Sequence, residues 1–233
     1  MPRKRRFFLP NIPVHIVQRG HSRESVFFDE ADYQAYLNWL SEALKRYGCA
    51  LHAYVLMTNR IHLLVTLKDQ QGISRMMQYI GRHYVPYINS TYGASGSIWD
   101  GRFKASLIHD VEYLLACMRY IELNPARANM VKAPAHYRWS SYRCNAQGKL
   151  SEIITPHPLY NALGRDMVGR CVGYKALFKA HVEDIEINDI SAAWQTGTPL
   201  GNENFREKLE QKLKLKLGQA RRGRPSNPKQ DSK

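Results

Sequence analysis

HAYVLMTNRIHLLV, residues 52–65, is the stretch on which the fold turns. Two apolar, β-rich runs, 50–57 and 61–67, are broken only by Thr58-Asn59-Arg60. So short a polar break between two such runs predicts a β-hairpin. Alternate strand residues share a face, so Arg60 and His62 point the same way at its mouth. Upstream, residues 13–19 (PVHIVQR) predict a strand. Residues 29–47 predict a helix, because Tyr33, Tyr36, Leu37, Leu40, Leu44 and Tyr47 recur on one face and Gly48 stops it. Downstream, 72–90 predict a helix bent near Pro86, then a Gly/Ser-rich loop from Gly93 to Gly101, then a strand over 104–109. Asp110 can cap a further helix running to about Asn124, which Pro125 helps terminate. The order strand, helix, strand, strand, helix, strand, helix is an α+β sandwich. One mainly antiparallel sheet carries packed helices, and a ferredoxin-like arrangement is the nearest common plan.

After residue 150 the pattern loosens. Residues 154–160 (ITPHPLY) read as a connection, 165–181 and 184–195 as short helices. Residues 203–217 make a clearer helix, with Phe205, Leu209, Leu213 and Leu217 at every fourth position. The expected organisation is a domain over 1–150, a mostly helical C-terminal extension over 151–218, and a basic tail over 219–233. That tail has little to bury and is expected to be disordered without DNA.

The chain has 233 residues, 44% of them hydrophobic, enough for a sizeable core. Nothing approaches the roughly 20 consecutive apolar residues of a membrane span. The basic N-terminus lacks a signal peptide's apolar run, so a cytoplasmic protein is expected. Cys49, Cys117, Cys144 and Cys171 are scattered without a CxxC pair, which argues against a disulfide framework or a zinc site. The net charge is +14, and it gathers at the ends. Arg3, Lys4, Arg5 and Arg6 open the chain, and residues 201–233 hold ten basic against four acidic residues. Basic arms on a milder body suit a polyanion, because binding releases condensed counterions.

Two local patterns can carry chemistry. Asn59-Arg60-Ile61-His62 sits at the hairpin mouth, where two histidines at i and i+2 would clamp one metal ion; only His62 is a histidine. Tyr120-Ile121-Glu122-Leu123-Asn124-Pro125 lies near the end of a helix. Tyr120 and Asn124 are four apart and share a helical face, which Tyr113 and Cys117 extend. Each pattern alone reads equally as core tyrosine, helix stop and structural histidine.

They do not stand alone. PRKRRFFLPNIPVHIVQRG, FFDEADYQAYL, HAYVLMTNRIHLLV, SIWDGRFKASLI, LLACMRYIELNPARANMV and YRWSSYR follow one another over residues 1–150. In that order they resemble the single-tyrosine HUH transposases, specifically the REP-associated tyrosine transposases. TPHPLYNALG and the Arg-rich RRGRP end resemble longer members with a C-terminal extension. The resemblance implies the HUH nuclease fold and a monomeric, nucleoid-associated bacterial protein. Its DNA partner would be a single-stranded hairpin of the repetitive extragenic palindromic (REP) type.

The resemblance also implies a mechanism. Tyr120 would be the nucleophile, leaving a 5′-phosphotyrosyl link and a free 3′-hydroxyl that permits strand transfer. Mg²⁺ or Mn²⁺ would be held by two strand histidines and a polar residue four after the tyrosine, here Arg60, His62 and Asn124. Arg60 is a departure, since a guanidinium repels a metal cation. Three readings of it stand: an inactivating change, drift towards a binding-only protein, or a direct phosphate contact that replaces part of the metal's role. Arg102 and Lys104 are the best phosphate contacts outside the arms. Trp99, Phe103, Tyr84 and Tyr92 sit among basic residues such as Arg82, a mixture that suits single strands, although core packing is the plainer reading of each. Arg222 and Arg224 lie in RRGRP, which resembles an AT-hook core and equally a plain basic tail. A cleavage-deficient hairpin binder and a general basic nucleic-acid binder are the alternatives to an enzyme.

Overall fold

A computed structural model describes residues 7–179 and 184–214, the side chains of 110–112, 179 and 184–186 excepted. Arg3, Lys4, Arg5, Arg6, Arg222 and Arg224 lie outside the described residues. The elements appear in the expected order: β1 (Val14–Arg19), α1 (Glu30–Arg46), β2 (Cys49–Met57), β3 (Arg60–Leu67), α2 (Gly72–Tyr92), β4 (Lys104–Leu107) and α3 (Asp110–Arg127). The four strands form one sheet in the order β2-β3-β1-β4, and every neighbouring pair is antiparallel. The predicted α+β, ferredoxin-like plan is therefore the observed one.

Strand alternation divides the sheet into two faces. Val14, Ile16, Leu51, Leu56, Ile61, Leu63, Val65 and Leu67 point to a cluster completed by Tyr36 and Leu40 of α1 and Ile80 and Tyr84 of α2. Ala53, Val55, Met57 and Leu64 point the other way, to Cys117, Tyr120 and Ile121 of α3. A bulge at His52 keeps β2 in phase with this division: the register slips between Leu51 and Ala53. His52 is held there by hydrogen bonds to the Thr155 carbonyl (2.7 Å) and the Thr66 hydroxyl (2.8 Å).

α1 begins at a capping box in which Asp29 accepts from Ala31 N and Asp32 accepts from Asp29 N. It ends at Gly48, whose φ of +60° is a left-handed turn that glycine adopts without strain. α3 departs from expectation at both ends. Asp110 is its first helical residue, with His109 in the cap position. The helix also continues through Pro125 to Arg127. Proline forfeits one backbone bond and crowds the carbonyl four residues back, but only two residues from the end the loss is local. The Ala128 N–H still closes the turn on the Asn124 carbonyl at 2.9 Å.

α4 (Tyr142–Gln147) precedes the extension, which comprises α5 (Pro158–Asn161), α6 (Met167–Lys179), α7 (Asp184–Thr196) and α8 (Glu203–Leu213). Most of the extension packs on the second face, while Leu209 of α8 is buried in the first-face cluster. Tyr160, Tyr174, Ile190, Ala193 and Leu200 join the α3 cluster. Leu200 N donates to the Leu107 carbonyl and His109 N to the Leu200 carbonyl, both at 2.8 Å, so the segment after α7 runs along the end of β4. The helix expected over 203–217 is described to Leu213, and Leu217 lies outside the described residues.

Glu122, fully buried, ties α3 to this extension. It accepts hydrogen bonds from Ser141 Oγ (2.5 Å), Asn145 Nδ2 (2.8 Å) and Tyr174 Oη (2.9 Å). Burial pushes its carboxyl up to about 7, against the pull of those three donors. All four cysteines are free thiols, Cys117 and Cys171 buried and Cys49 and Cys144 partly so. Among the described residues no helix is long and apolar enough to cross a membrane.

Candidate nucleic-acid interface

Register brings the chemistry-bearing residues to the second face. His62 on β3 lies opposite Val17 on β1, and Arg60 lies opposite Arg19. His15, Val17 and Arg19 therefore share a face with Arg60 and His62. His15 and His62 are both buried, stacked at 5.2 Å between ring centroids, and joined by one hydrogen bond, His15 Nε2 to His62 Nδ1, at 3.0 Å. Tyr120 meets both rings edge-on, at 5.8 Å from His15 and 6.0 Å from His62.

Burial disfavours a charge on either imidazole. Burial lowers His15 to about 3. Burial first, then His15, Arg60 and Arg19, holds His62 well below the ordinary histidine range. Their outward nitrogens, His15 Nδ1 and His62 Nε2, are buried without a hydrogen-bond partner.

Arginines surround the tyrosine. The Arg127 guanidinium lies 5.5 Å from the Tyr120 ring centroid. Arg60 is half-buried, and its Nε donates to Met57 Sδ at 3.3 Å. Burial pulls its pKa down, while its electrostatic neighbours are Tyr120, Arg19 and Arg127. Tyr120 itself is only 5% exposed, and its hydroxyl accepts from Trp194 Nε1 of α7 at 3.3 Å. Lys104 Nζ and the Arg19 guanidinium lie 5.7 and 5.9 Å from the Trp194 ring centroid.

These donors do not make a divalent-metal site. Among the described residues no three His, Cys, Asp or Glu side chains group together. Arg60 contributes positive charge where the resemblance implies a ligand. His15 and His62 each spend one ring nitrogen on their mutual bond, which leaves one free nitrogen apiece. Asn124 turns its amide back along α3 and donates to the Tyr120 carbonyl at 2.9 Å. What the face offers is positive charge: Arg127 and Arg60 lie by Tyr120, and Arg19 and Lys104 lie by Trp194.

Of the residues expected at the site, Tyr120, Arg60 and His62 come together and Lys104 joins them through Trp194, while Asn124 reaches only the Tyr120 carbonyl. Arg102 is exposed in the loop before β4. Trp99, Phe103 and Tyr84 are core residues of the first face. Tyr92 is partly exposed, and its hydroxyl donates to Asp32 at 2.9 Å. The sequence reading missed His15, Arg19, Arg127 and Trp194. Arg127 follows Tyr120 by seven residues, two helical turns on one face, a signal hidden by ending the helix at Asn124. His15 and Arg19 alternate along β1, but their neighbours depend on the pairing of β1 with β3.

The sheet order β2-β3-β1-β4, two helices on one face and, on the other, a helix packed over β2 and β3 that carries Tyr120 define the HUH-type tyrosine-transposase fold. The family model described as "Transposase IS200 like" matches residues 9–124, and the chain belongs to that family. No curated protein matches it. Among solved structures, a REP-associated tyrosine transposase bound to a REP hairpin is similar at 19% identity and a TM-score of 0.54, over 67% of this chain and 93% of that one. A transposase candidate from Deinococcus radiodurans R1 is 18% identical over 51% of this chain and 93% of its own, with a TM-score of 0.37. A bacterial tRNA(His) guanylyltransferase-like protein in complex with ATP is 13% identical over 56% and 63%, with a TM-score of 0.39. Likeness at these two lower scores carries no functional weight.

Proposed function

We propose that this chain binds a single-stranded DNA hairpin of the REP type and presents Tyr120 to a phosphodiester beside the hairpin's foot. The observation that carries this reading is the setting of Tyr120, which sits against the His15–His62 pair with Arg60 and Arg127 around it. Family membership and the ordered motifs support it, as does the hairpin bound to the fold's solved relative.

In this reading the arginines supply the positive charge. As the Tyr120 oxygen attacks phosphorus, the bond to the 3′-oxygen breaks. The phenolic proton passes to water, and the departing 3′-oxygen takes one up. His15 and His62 are poor proton acceptors among so many cations, and they serve as hydrogen-bond partners. Arg60, Arg127 and Arg19 face the charge that builds on the non-bridging oxygens. The product is a 5′-phosphotyrosine, which a second strand's 3′-hydroxyl can reverse. The test is a hairpin oligonucleotide with a 3′-flanking single strand, run on a denaturing gel. A covalent adduct is expected with the wild type in EDTA and none with Tyr120→Phe. An adduct that survives in Tyr120→Phe contradicts the reading.

A second reading, hairpin binding without cutting, is favoured by Arg60 in place of a metal ligand. It predicts tight binding with no adduct. It also predicts that Arg60→His raises Mn²⁺-dependent nicking, and equal nicking by both proteins would sink it.

A further inference from the structure

Trp194 belongs to the extension, yet it occupies the approach to Tyr120. Its Nε1 donates to the Tyr120 hydroxyl at 3.3 Å, and its ring meets His62 edge-on at 6.0 Å between centroids. It is 5% exposed, and so is Tyr120. A phosphorus atom under attack must come within bonding reach of the phenolic oxygen, from the side that solvent reaches. With the indole N–H on that oxygen, and both rings covered, no phosphodiester reaches it until the Trp194 side chain leaves.

The surroundings of the indole say what fits in its place. Arg19 and Lys104 lie within about 6 Å of its ring, the range of a cation–π contact. His62 adds a ring edge. An aromatic plane beside two cations, next to the group that attacks phosphate, matches a nucleobase with its phosphates. The base takes the ring's place, and the flanking phosphates meet the guanidinium and ammonium. α7 keeps its own anchor without Trp194. Ile190 and Ala193 are buried in the α3 cluster, and Leu200 hydrogen-bonds along β4. The side chain can therefore swing out without the extension coming apart.

We propose that Trp194 fills a nucleobase slot beside Tyr120, and that single-stranded DNA enters by displacing it. The proposal rests on the reading of this face as the DNA site. It makes the extension a competitor for the strand, so that only a strand that outcompetes the indole reaches the nucleophile.

The test uses the full chain and the unstructured oligonucleotide dT12, followed by fluorescence anisotropy. Trp194→Ala empties the slot and is expected to tighten dT12 binding about tenfold. Trp194→Phe keeps a ring there and is expected to stay within about twofold of the wild type. Tightening by both variants, or by neither, overturns the proposal. Should Trp194→Ala fail to fold, the wild type still decides. In 5-fluorotryptophan-labelled protein, the Trp194 ¹⁹F resonance is assigned by its loss in Trp194→Phe. It is expected to gain the H₂O/D₂O isotope shift of an exposed ring when dT12 is added, and a resonance that remains shielded contradicts displacement. A wild type that binds the REP-type hairpin without gain in Trp194→Ala loses only the slot. A protein that binds neither hairpin nor dT12 in any form loses the DNA reading and the slot together.

Discussion

The two faces of the sheet use the same strands for different ends. The α1/α2 face buries aliphatic and aromatic side chains, and Asp32, its one fully buried acidic or basic side chain among the described residues, is saturated. That carboxylate accepts from Phe28 N, Asp29 N, Tyr87 Oη and Tyr92 Oη at 2.8 to 3.0 Å. The α3 face buries His15, His62, Asn124 and Glu122 beside Tyr120, with three arginines among them. Buried polar groups that lack partners cost stability, and His15 Nδ1 and His62 Nε2 are such groups. One face is optimised for packing. The other gives up part of that packing to hold a cationic, tyrosine-centred site.

Substitutions can break this contrast. The largest effect belongs to the packing face. Leu63→Ala removes a fully buried side chain and is expected to cost about 3–4 kcal/mol in chemical denaturation. Hairpin affinity measured below the transition should hardly change. A folded Leu63→Ala that lost DNA binding specifically would erase the division between faces.

Glu122 is next. Its folded-state pKa of about 7 lies above the ordinary value of 4.5, so the stability it contributes is complete below pH 4.5 and is lost as pH rises through 7. Glu122→Gln should match the wild type near pH 4.5 and exceed it at pH 8 by up to about 3 kcal/mol. Thermal denaturation across that range checks it. A difference that is largest at the acid end would reverse the assignment.

The face-two counterpart of Leu63 is Arg60. Arg60→Ala removes a half-buried charge among like charges, so stability should change by less than about 1 kcal/mol. Hairpin affinity should fall about tenfold, as for the loss of one charge-assisted phosphate contact. A large loss of stability with unchanged affinity would make Arg60 a structural residue.

The packing face was largely legible in the sequence, because periodicity reports burial. Tyr36, Leu40 and Leu44 at helical spacing marked its helical side, and the apolar run 61–67 marked the strand that holds Ile61, Leu63 and Val65. The second face was legible only where a motif was local. Tyr120 with Asn124, and Arg60 with His62, are each contained in a few residues. His15 is 47 residues from its hydrogen-bond partner His62, and Trp194 is 74 from Tyr120. No local pattern reports such pairings, which arise from strand register and from the docking of the extension. Pro125 misled for a related reason: a local rule about helix ends was overridden by bonds that close the last turn of α3.

The central claim is that guanidiniums, not a divalent ion, hold DNA on the second face. Its most direct measurement is the affinity for a REP-type hairpin in EDTA and in Mn²⁺, with the wild type and Arg60→Ala side by side. The account predicts equal wild-type affinity in both buffers and a loss of about tenfold on Arg60→Ala in each. Wild-type binding that collapses in EDTA, with Arg60→Ala indistinguishable from it, would contradict the account.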